Sequence, residues 1–414
     1  MKILLINSCH YRRGGADSVY FNTGEMLKKM GHEIIYFSIE DEKNLKTDNK
    51  EYFVKKKVNI DSNFANKTRN FYSYFYNIEA KKKLEYLLEA EKPDLAHIHL
   101  IFGGLTPSIL VALKRKKIPI VHTVHDYRMI CPAYTFLNAK GDICEQCKNR
   151  KYYNCVKNKC GKNNLSMSFV MAMEMYFRNI FFKPAKFFDG IMYVSNFSRK
   201  KHFSFDENLS KTTSTVLYNA CKNDNKLCET SKRDYYLYFG RLSYEKGLLT
   251  LIKSFKRHKD KKLIVVGLGP LYNDIKELIN IENLKNIKLL GYKTGVELSD
   301  IIANSKYVII PSEWYENNPM TIIEAYSNGV PVIGANIGGI PEILKNNVTG
   351  FLFPPRNDEE LSNTIEISAN ITENEYNELC INSKSFFNKN FSADQHYNLL
   401  IDFYKKVIEK HKVN

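Results

Sequence analysis

PSEWYENNPMTIIEAYSNGVPVIG, residues 311–334, decides the fold of the half of the chain it lies in. Just before Pro311 the run YVII is apolar throughout and reads as a buried strand, MTIIEAYS places its apolar residues at helical spacing, and VPVIGA reads as a further strand. Pro319 sits where a first helical turn tolerates proline, because that turn's N–H groups have no partner inside the helix. The stretch is therefore strand, loop, helix and strand. A helix start of this kind presents unpaired backbone N–H groups that attract anions such as phosphate. Glu316 falls in the loop facing that start, and Glu324 follows about one turn into the helix.

Phosphate-binding amides flanked by two carboxylates, which accept hydrogen bonds from hydroxyls, suit a ligand that carries both phosphate and sugar hydroxyls. A nucleotide sugar is such a ligand. The same spacing also fits an ordinary crossover with two solvated glutamates, so other parts of the chain must discriminate.

Around this stretch strand-like and helix-like segments alternate. KILLINS is followed by a helix from Ala16 to Met30, then HEIIYFSI, LAHIHL, IPIVHTVHD and GIMYVS; the second half repeats the rhythm with YYLYFGRL, KKLIVVG, NIKLLG, YVIIPS and VPVIGA. Strands apolar throughout and separated by helices indicate parallel sheets covered on both faces, here two consecutive doubly wound α/β domains. The polar stretch CKNDNKLCETSKRD, residues 221–234, is the expected boundary, giving domains of 1–221 and 222–392; a last helical segment from Ala393 to the terminus has no strand after it and is expected to pack back on the first domain.

Ligands of such sheets bind beyond the carboxyl ends of the strands. The loops there contain Gly14 and Gly15 in RRGGADS, His125 and Asp126 in HDYRMICP, Arg241 and Lys246 in YFGRLSYEKG, Gly267 and Gly269 in VVGLGP, and Gly338 and Gly339 in ANIGGIPE. Glycines permit close approach of backbone to a ligand, and the two cations can neutralise a diphosphate. Singly each feature has a bland reading: a two-glycine turn, a structural histidine, two surface cations, a fingerprint too short to be specific. Three glycine turns, two cations and two carboxylates after strands of one domain converge on one cleft.

With these residues laid out, the chain resembles a retaining glycosyltransferase of family 4, with the GT-B architecture of two Rossmann-like domains facing across a cleft. The glutamate pair inside PSEWYENNPMTIIEAYSNGVPVIG carries the resemblance, supported by GRLSYEKG, VVGLGP and GGIPE in the expected order. HDYRMICP followed by a cysteine-rich segment resembles the branch that builds bacterial capsular, O-antigen (lipopolysaccharide) or exopolysaccharide chains. The resemblance implies that Glu316 contacts hydroxyls of the donor sugar and Glu324 the nucleotide ribose, and that Arg241 and Lys246 hold the UDP or GDP diphosphate as its charge grows. It implies further that the amides of Met320 and Thr321 add to that hold, that Gly14 and Gly15 admit donor phosphate, and that His125 faces the reacting sugar. Asn317, Asn318 and Pro319 stand where many relatives have a Phe-Gly pair, so sugar contacts from that position differ. In glycosidases retention normally needs a carboxylate nucleophile paired with a second carboxyl group. No candidate nucleophile is evident, so front-face departure without a catalytic metal is the expected mechanism.

Cys144, Cys147, Cys155 and Cys160 lie within an insertion at about 131–165. Four thiols so spaced fit a structural zinc, reduced thiols or disulfides, and leave no open position for a catalytic metal. Behind them LSMSFVMAMEMYFRNIFFKPAKFF, residues 165–188, mixes aromatics, methionines and lysines, as a membrane-surface helix or a core helix would.

The charge is uneven. Of a net +16, residues 1–225 carry 37 Lys plus Arg against 22 Asp plus Glu, or +15, and the remainder 24 against 23, or +1. A lysine-rich genome decorating every solvated face would spread it evenly. A basic first half beside a neutral second half suggests an anionic partner, whether a membrane surface, a lipid phosphate or nucleic acid; together with the 165–188 segment it favours peripheral attachment to an anionic membrane, where the acceptor would be an undecaprenyl-diphosphate-linked saccharide. No run approaches the roughly 20 apolar residues of a membrane-spanning helix, so a cytoplasmic, peripherally attached protein is expected. A sugar-nucleotide epimerase would not need the basic face, a zinc-ribbon nucleic-acid binder leaves the glutamates and glycine turns unexplained, and a sugar-nucleotide-binding protein without turnover remains an open alternative.

Overall fold

The computed structural model describes residues 1–56, 73–102, 104–221 and 233–413, and within them the chain forms two compact units, Met1–Leu217 with Tyr397–Asn414, and Tyr218–His396. Most of the 221–234 stretch lies outside the described residues, and the chain passes from one unit to the next at Leu217 and Tyr218.

The first unit is built on a six-stranded sheet of order β2-β1-β3-β4-β5-β6, from β1 (Lys2–Ile6), β2 (Glu33–Phe37), β3 (Leu95–Ile98), β4 (Ile120–Val124), β5 (Gly190–Tyr193) and β6 (Ser214–Val216). Every pairing is parallel; Leu4 stands opposite Ile35 on one side and Ala96 on the other. The inner strands are buried along their length, which is why they read as unbroken apolar runs. The C-terminal helix Ala393–Val413 returns to this unit: Leu400, Phe403, Tyr404 and Val407 pack with Ile3, Leu5 and Val121. A Cβ on Gly190 would come within 2.5 Å of Val407, so the strand–helix contact needs glycine there.

The second unit repeats the plan with β7 (Tyr235–Phe239), β8 (Lys262–Val266), β9 (Ile287–Gly291), β10 (Tyr307–Ile310), β11 (Val332–Ala335) and β12 (Gly350–Phe353), in the order β12-β11-β10-β7-β8-β9. All pairings are again parallel. Strand order reverses between β1 and β3 in the first unit and between β7 and β10 in the second, and the loops leaving such neighbours splay apart to open a crevice. In the second unit those two loops are 240–247 and 311–319. The helix after the second is Met320–Ser327, the MTIIEAYS read from the sequence, with Pro319 as its cap in an extended conformation.

Candidate active site

Lys246 and Glu316 meet at the switch point of the second unit. Lys246 Nζ donates to Glu316 Oε1 at 2.6 Å, and the same oxygen accepts from Ser312 Oγ at 2.7 Å and Trp314 Nε1 at 2.8 Å. Lys246 also lies 5.1 Å from the centre of the Trp314 ring. Burial pushes the Glu316 carboxyl up, but the Lys246 charge and the three hydrogen bonds outweigh it and hold the group below its ordinary value. Glu316 is thus a buried, ionised, anchored carboxylate rather than the solvated loop residue its sequence position suggests. Arg241 is exposed at the head of the same loop as Lys246, and among the described residues its side chain pairs with no carboxylate.

Loop-on-loop contacts hold this geometry. Glu313 N donates to Glu245 O at 2.9 Å, and Thr250 Oγ1 donates to Glu313 Oε1 at 2.6 Å. Gly247, in the left-handed region at φ 70°, leaves room for Pro311 O, which a Cβ would approach to 1.8 Å. Gly267 and Gly269 similarly make way for the backbone of Gly240 and Leu242, and Gly338 and Gly339 for Glu316 and Asn317, with Gly339 N donating to Glu316 O at 2.7 Å. The close approach these four glycines permit is therefore of one loop to another. Gly267 and Gly269, which the sequence assigns to a ligand, thus also let the loop of Arg241 and Lys246 pack closely.

Glu324 is half-buried on the helix Met320–Ser327. No side chain caps this helix, so the first-turn amides of Met320 and Thr321 face outward from its start. Asn318 ties down the segment that enters the unit: its Oδ1 accepts from Asn219 N at 2.7 Å, and Asn219 Nδ2 donates to Asn318 O at 3.0 Å. Asn317, beside it, is also buried.

In the first unit Gly14 and Gly15 are exposed where the helix Gly15–Lys29 begins, and a Cβ on Gly14 would meet nothing within 4 Å. Asn7 braces this corner, donating to Asp17 Oδ1 at 2.9 Å and accepting from Leu100 N at 3.2 Å. His125, read from the sequence as a lone histidine, has a partner: its Nε2 is hydrogen-bonded to His99 Nδ1 at 2.9 Å, with the rings stacked. Burial lowers its pKa to about 3, so the ring is held neutral. Asp126 Oδ1 accepts from Arg128 N at 2.9 Å, closing the turn after β4.

The thiols of the insertion are unpaired. Cys147 and Cys155 are buried with Tyr152, Ala172 and Met175, and Cys160 packs against them. Among the described residues no group of three or more His, Cys, Asp or Glu is placed to hold a metal ion. Cys147 and Cys155 pack as small apolar side chains, while Cys144 Sγ accepts from Asn158 Nδ2 at 3.5 Å. The helix Leu165–Phe181 buries Ser168, Ala172, Met175 and Arg178, while Leu165, Phe169, Met173, Ile180 and Phe181 are exposed. No helix of the described residues is long and apolar enough to cross a membrane.

Sequence reasoning missed Trp314, Ser312 and His99. The first two lie inside the stretch that names Glu316, but nothing in their spacing says which donors fold back onto the carboxylate. His99 is signalled only by HIH at the end of a strand.

Comparison with known proteins bears on the family and the fold. The family model "Glycosyltransferase Family 4" matches residues 13–155, and "Glycosyl transferases group 1" matches residues 221–383. An uncharacterised 42.6 kDa protein of the cps region of Klebsiella pneumoniae is 27% identical over 83% of this chain and 88% of its own length. The N-acetyl-alpha-D-glucosaminyl L-malate synthase of Bacillus anthracis is 23% identical over 85% and 84%. Among solved structures, a glycosyltransferase from Rickettsia africae superposes with a TM-score of 0.67 at 21% identity, covering 98% of each chain. Anabaena HepE, solved with UDP, superposes with a TM-score of 0.66 at 17% identity, covering 98% and 100%. One family model falls on each half of a chain whose two sheets follow the GT-B plan, and the chain belongs to the family 4, group 1 glycosyltransferases.

Proposed function

We propose that the protein is a retaining transferase that moves a sugar from a UDP- or GDP-sugar to a lipid-linked saccharide during the building of a bacterial surface polysaccharide. The observation that carries this reading is the anchored Lys246–Glu316 pair beside the exposed Arg241, at the crevice of the second unit. With its Oε1 satisfied by three donors, Glu316 is a poor nucleophile and keeps Oε2 to accept from donor-sugar hydroxyls. Lys246, Arg241 and the amides of Met320 and Thr321 take the diphosphate, stabilising charge that grows as the glycosidic bond breaks. Glu324 takes the ribose, while Gly14 and Gly15 leave room for phosphate and the neutral His125 offers a hydrogen bond to the reacting sugar. The leaving phosphate accepts the acceptor's proton on the face it departs from, so no second carboxylate is called for. The UDP and UDP-glucose complexes of HepE and the cps-region relatives from Klebsiella favour a nucleotide-sugar donor and a polysaccharide product.

The acceptor side rests on the first unit. Its basic charge and the exposed apolar face of Leu165–Phe181 favour attachment to an anionic bilayer, where a lipid-linked saccharide is presented. The test is nucleotide release from a panel of UDP- and GDP-sugars, with and without membranes carrying lipid-linked saccharides. One donor is expected to turn over only with membranes, and Glu316→Ala and Glu324→Ala are each expected to abolish turnover. Unchanged turnover in both variants would refute the assignment, and anomeric analysis of the product decides retention.

A further inference from the structure

Among the described residues, two arginines of the first unit carry N–H groups with no hydrogen-bond acceptor. Arg178, on the helix Leu165–Phe181, is 2% exposed. Its Nη2 donates to Glu174 Oε2 at 3.0 Å and also rests against Met175 Sδ, and its guanidinium lies 4.2 Å from the centre of the Phe102 ring. Its Nε and Nη1 are buried with no hydrogen-bond partner. Arg128, in the turn after β4, stacks on Tyr134 at 4.5 Å and leaves its own buried Nε unpaired. Burial pushes the Tyr74 hydroxyl above its ordinary value and the Glu174 charge adds to that, while the Arg128 and Arg178 charges both pull it down.

Buried guanidinium groups are normally satisfied, because an N–H deprived of water and given no acceptor is costly. Glu174 answers only Nη2 of Arg178. Nε and Nη1 each share an edge with the Nη2 that Glu174 takes, so an anion that displaces Glu174 meets two donor edges of the kind that grip phosphate oxygens. The residues around it leave the carboxyl ends of adjacent strands, Phe102 after β3 and Arg128 after β4, where a parallel sheet receives its ligands. The outer face of the same helix is apolar, with Leu165, Phe169, Met173 and Ile180 exposed. One helix thus offers a guanidinium inward and an apolar strip outward, which matches an amphiphile with a polyanionic head and a hydrocarbon tail.

We infer that Arg178 and Arg128 form a subsite for the diphosphate of a polyprenyl-diphosphate-linked acceptor, with Glu174 as the anion it displaces. This rests on the lipid-linked acceptor proposed above. A monoanionic headgroup would gain less, because Glu174 already supplies one negative charge.

The test measures binding of the full chain to neutral phosphatidylcholine vesicles doped with a polyprenyl-diphosphate sugar, beside vesicles doped with phosphatidylglycerol, with inorganic pyrophosphate as a soluble competitor. Arg178→Gln and Arg128→Gln are each expected to weaken binding to the diphosphate vesicles by about 10- to 100-fold, the worth of a charge-assisted hydrogen bond. Binding to phosphatidylglycerol should change less than about twofold, as for one contact in a diffuse basic surface. Pyrophosphate should compete with the wild type and not with the variants. Unchanged binding to the diphosphate vesicles, or an equal loss on both vesicle types, would overturn the subsite. If Arg178→Gln fails to fold, the half-exposed Arg128→Gln decides alone. If the wild type glycosylates a lipid-linked saccharide and both variants do so with unchanged KM, the subsite falls while the acceptor reading stands. If the wild type uses only soluble acceptors, that reading falls and the subsite with it.

Discussion

Lys246 and Glu316 form a pair whose two halves fail differently. Glu316 has 7% of its side chain exposed and Lys246 26%, so removing the lysine leaves a buried carboxylate with only neutral donors. Lys246→Met is expected to lower the free energy of unfolding by about 3 kcal/mol, at the low end for a buried pair because the lysine retains some solvent. Glu316→Gln keeps acceptors for Trp314 and Ser312, and should unfold within about 1 kcal/mol of the wild type while losing at least about 100-fold in turnover. Denaturant titration beside a nucleotide-release assay separates the two; equal stability losses would contradict the anchoring described here. Because the folded pKa of Glu316 is lowered, the pair's contribution is present above the unfolded value of 4.5 and is lost as pH falls through the lower folded value. At this scale the sequence reveals residues whose chemistry is rare in a loop, the glutamates and cations. It does not reveal Trp314, Ser312 or the unpaired N–H groups of Arg178, because those depend on how a loop folds back and which face of a helix is covered.

The glycines make the corresponding argument for whole elements. A Cβ on Gly339 would stand 1.9 Å from Asn317 O, a backbone atom that cannot move without shifting the loop carrying Glu316. Gly339→Ala is therefore expected to cost about 2 kcal/mol or more and to reduce turnover with it, as overpacking does. Gly14→Ala meets nothing within 4 Å and has an extended φ of −169°, so its stability should stay within about 1 kcal/mol of the wild type. A loss of turnover in a stable Gly14→Ala protein would mark that open space as ligand space; thermal unfolding with the activity assay reads both. The helix Leu165–Phe181 gives a third expectation. Replacing exposed Phe169 and Ile180 by Ser should leave the fold intact and weaken binding to phosphatidylglycerol vesicles by about tenfold or more, since each large apolar side chain is worth roughly 1.5–3 kcal/mol when buried. Most strands were legible because a parallel strand buried on both faces is an apolar run. Two of the four edge strands were not, although the other two, β2 and β9, were. β6 is three half-buried residues, STV, and β12 is the four-residue GFLF just after a turn at Asn346 and Asn347, both too short for periodicity to distinguish from loop.

Across the whole molecule the buried histidines are unevenly shared. Burial lowers His10, His122 and His202 to about 4 and His125 to about 3, all in the first unit, whereas in the second His396 is lowered to about 4 and His258 less far. These rings are held neutral in the folded chain and protonate near 6.5 once unfolded. Between about pH 4 and 6.5 the unfolded state therefore binds more protons, so stability is full above 6.5 and falls as the pH drops toward 4. Each depressed histidine is worth up to about 3 kcal/mol at the acid end of that window, and a domain has only about 5–15 kcal/mol to lose. The first unit should accordingly open at a higher pH than the second. Two probes distinguish the units: Trp314, the single tryptophan, lies in the second, and the buried thiols of Cys131, Cys147 and Cys155 lie in the first. Acidified in steps from pH 7 to 4 at a fixed low urea concentration, the protein should expose those thiols to labelling before Trp314 emission shifts. Replacing His122 and His202 by Gln should move the first transition to lower pH and leave the second in place. Simultaneous transitions, or a Trp314 shift that comes first, would mean that the carboxylates of the second unit and not the histidines of the first set the acid limit.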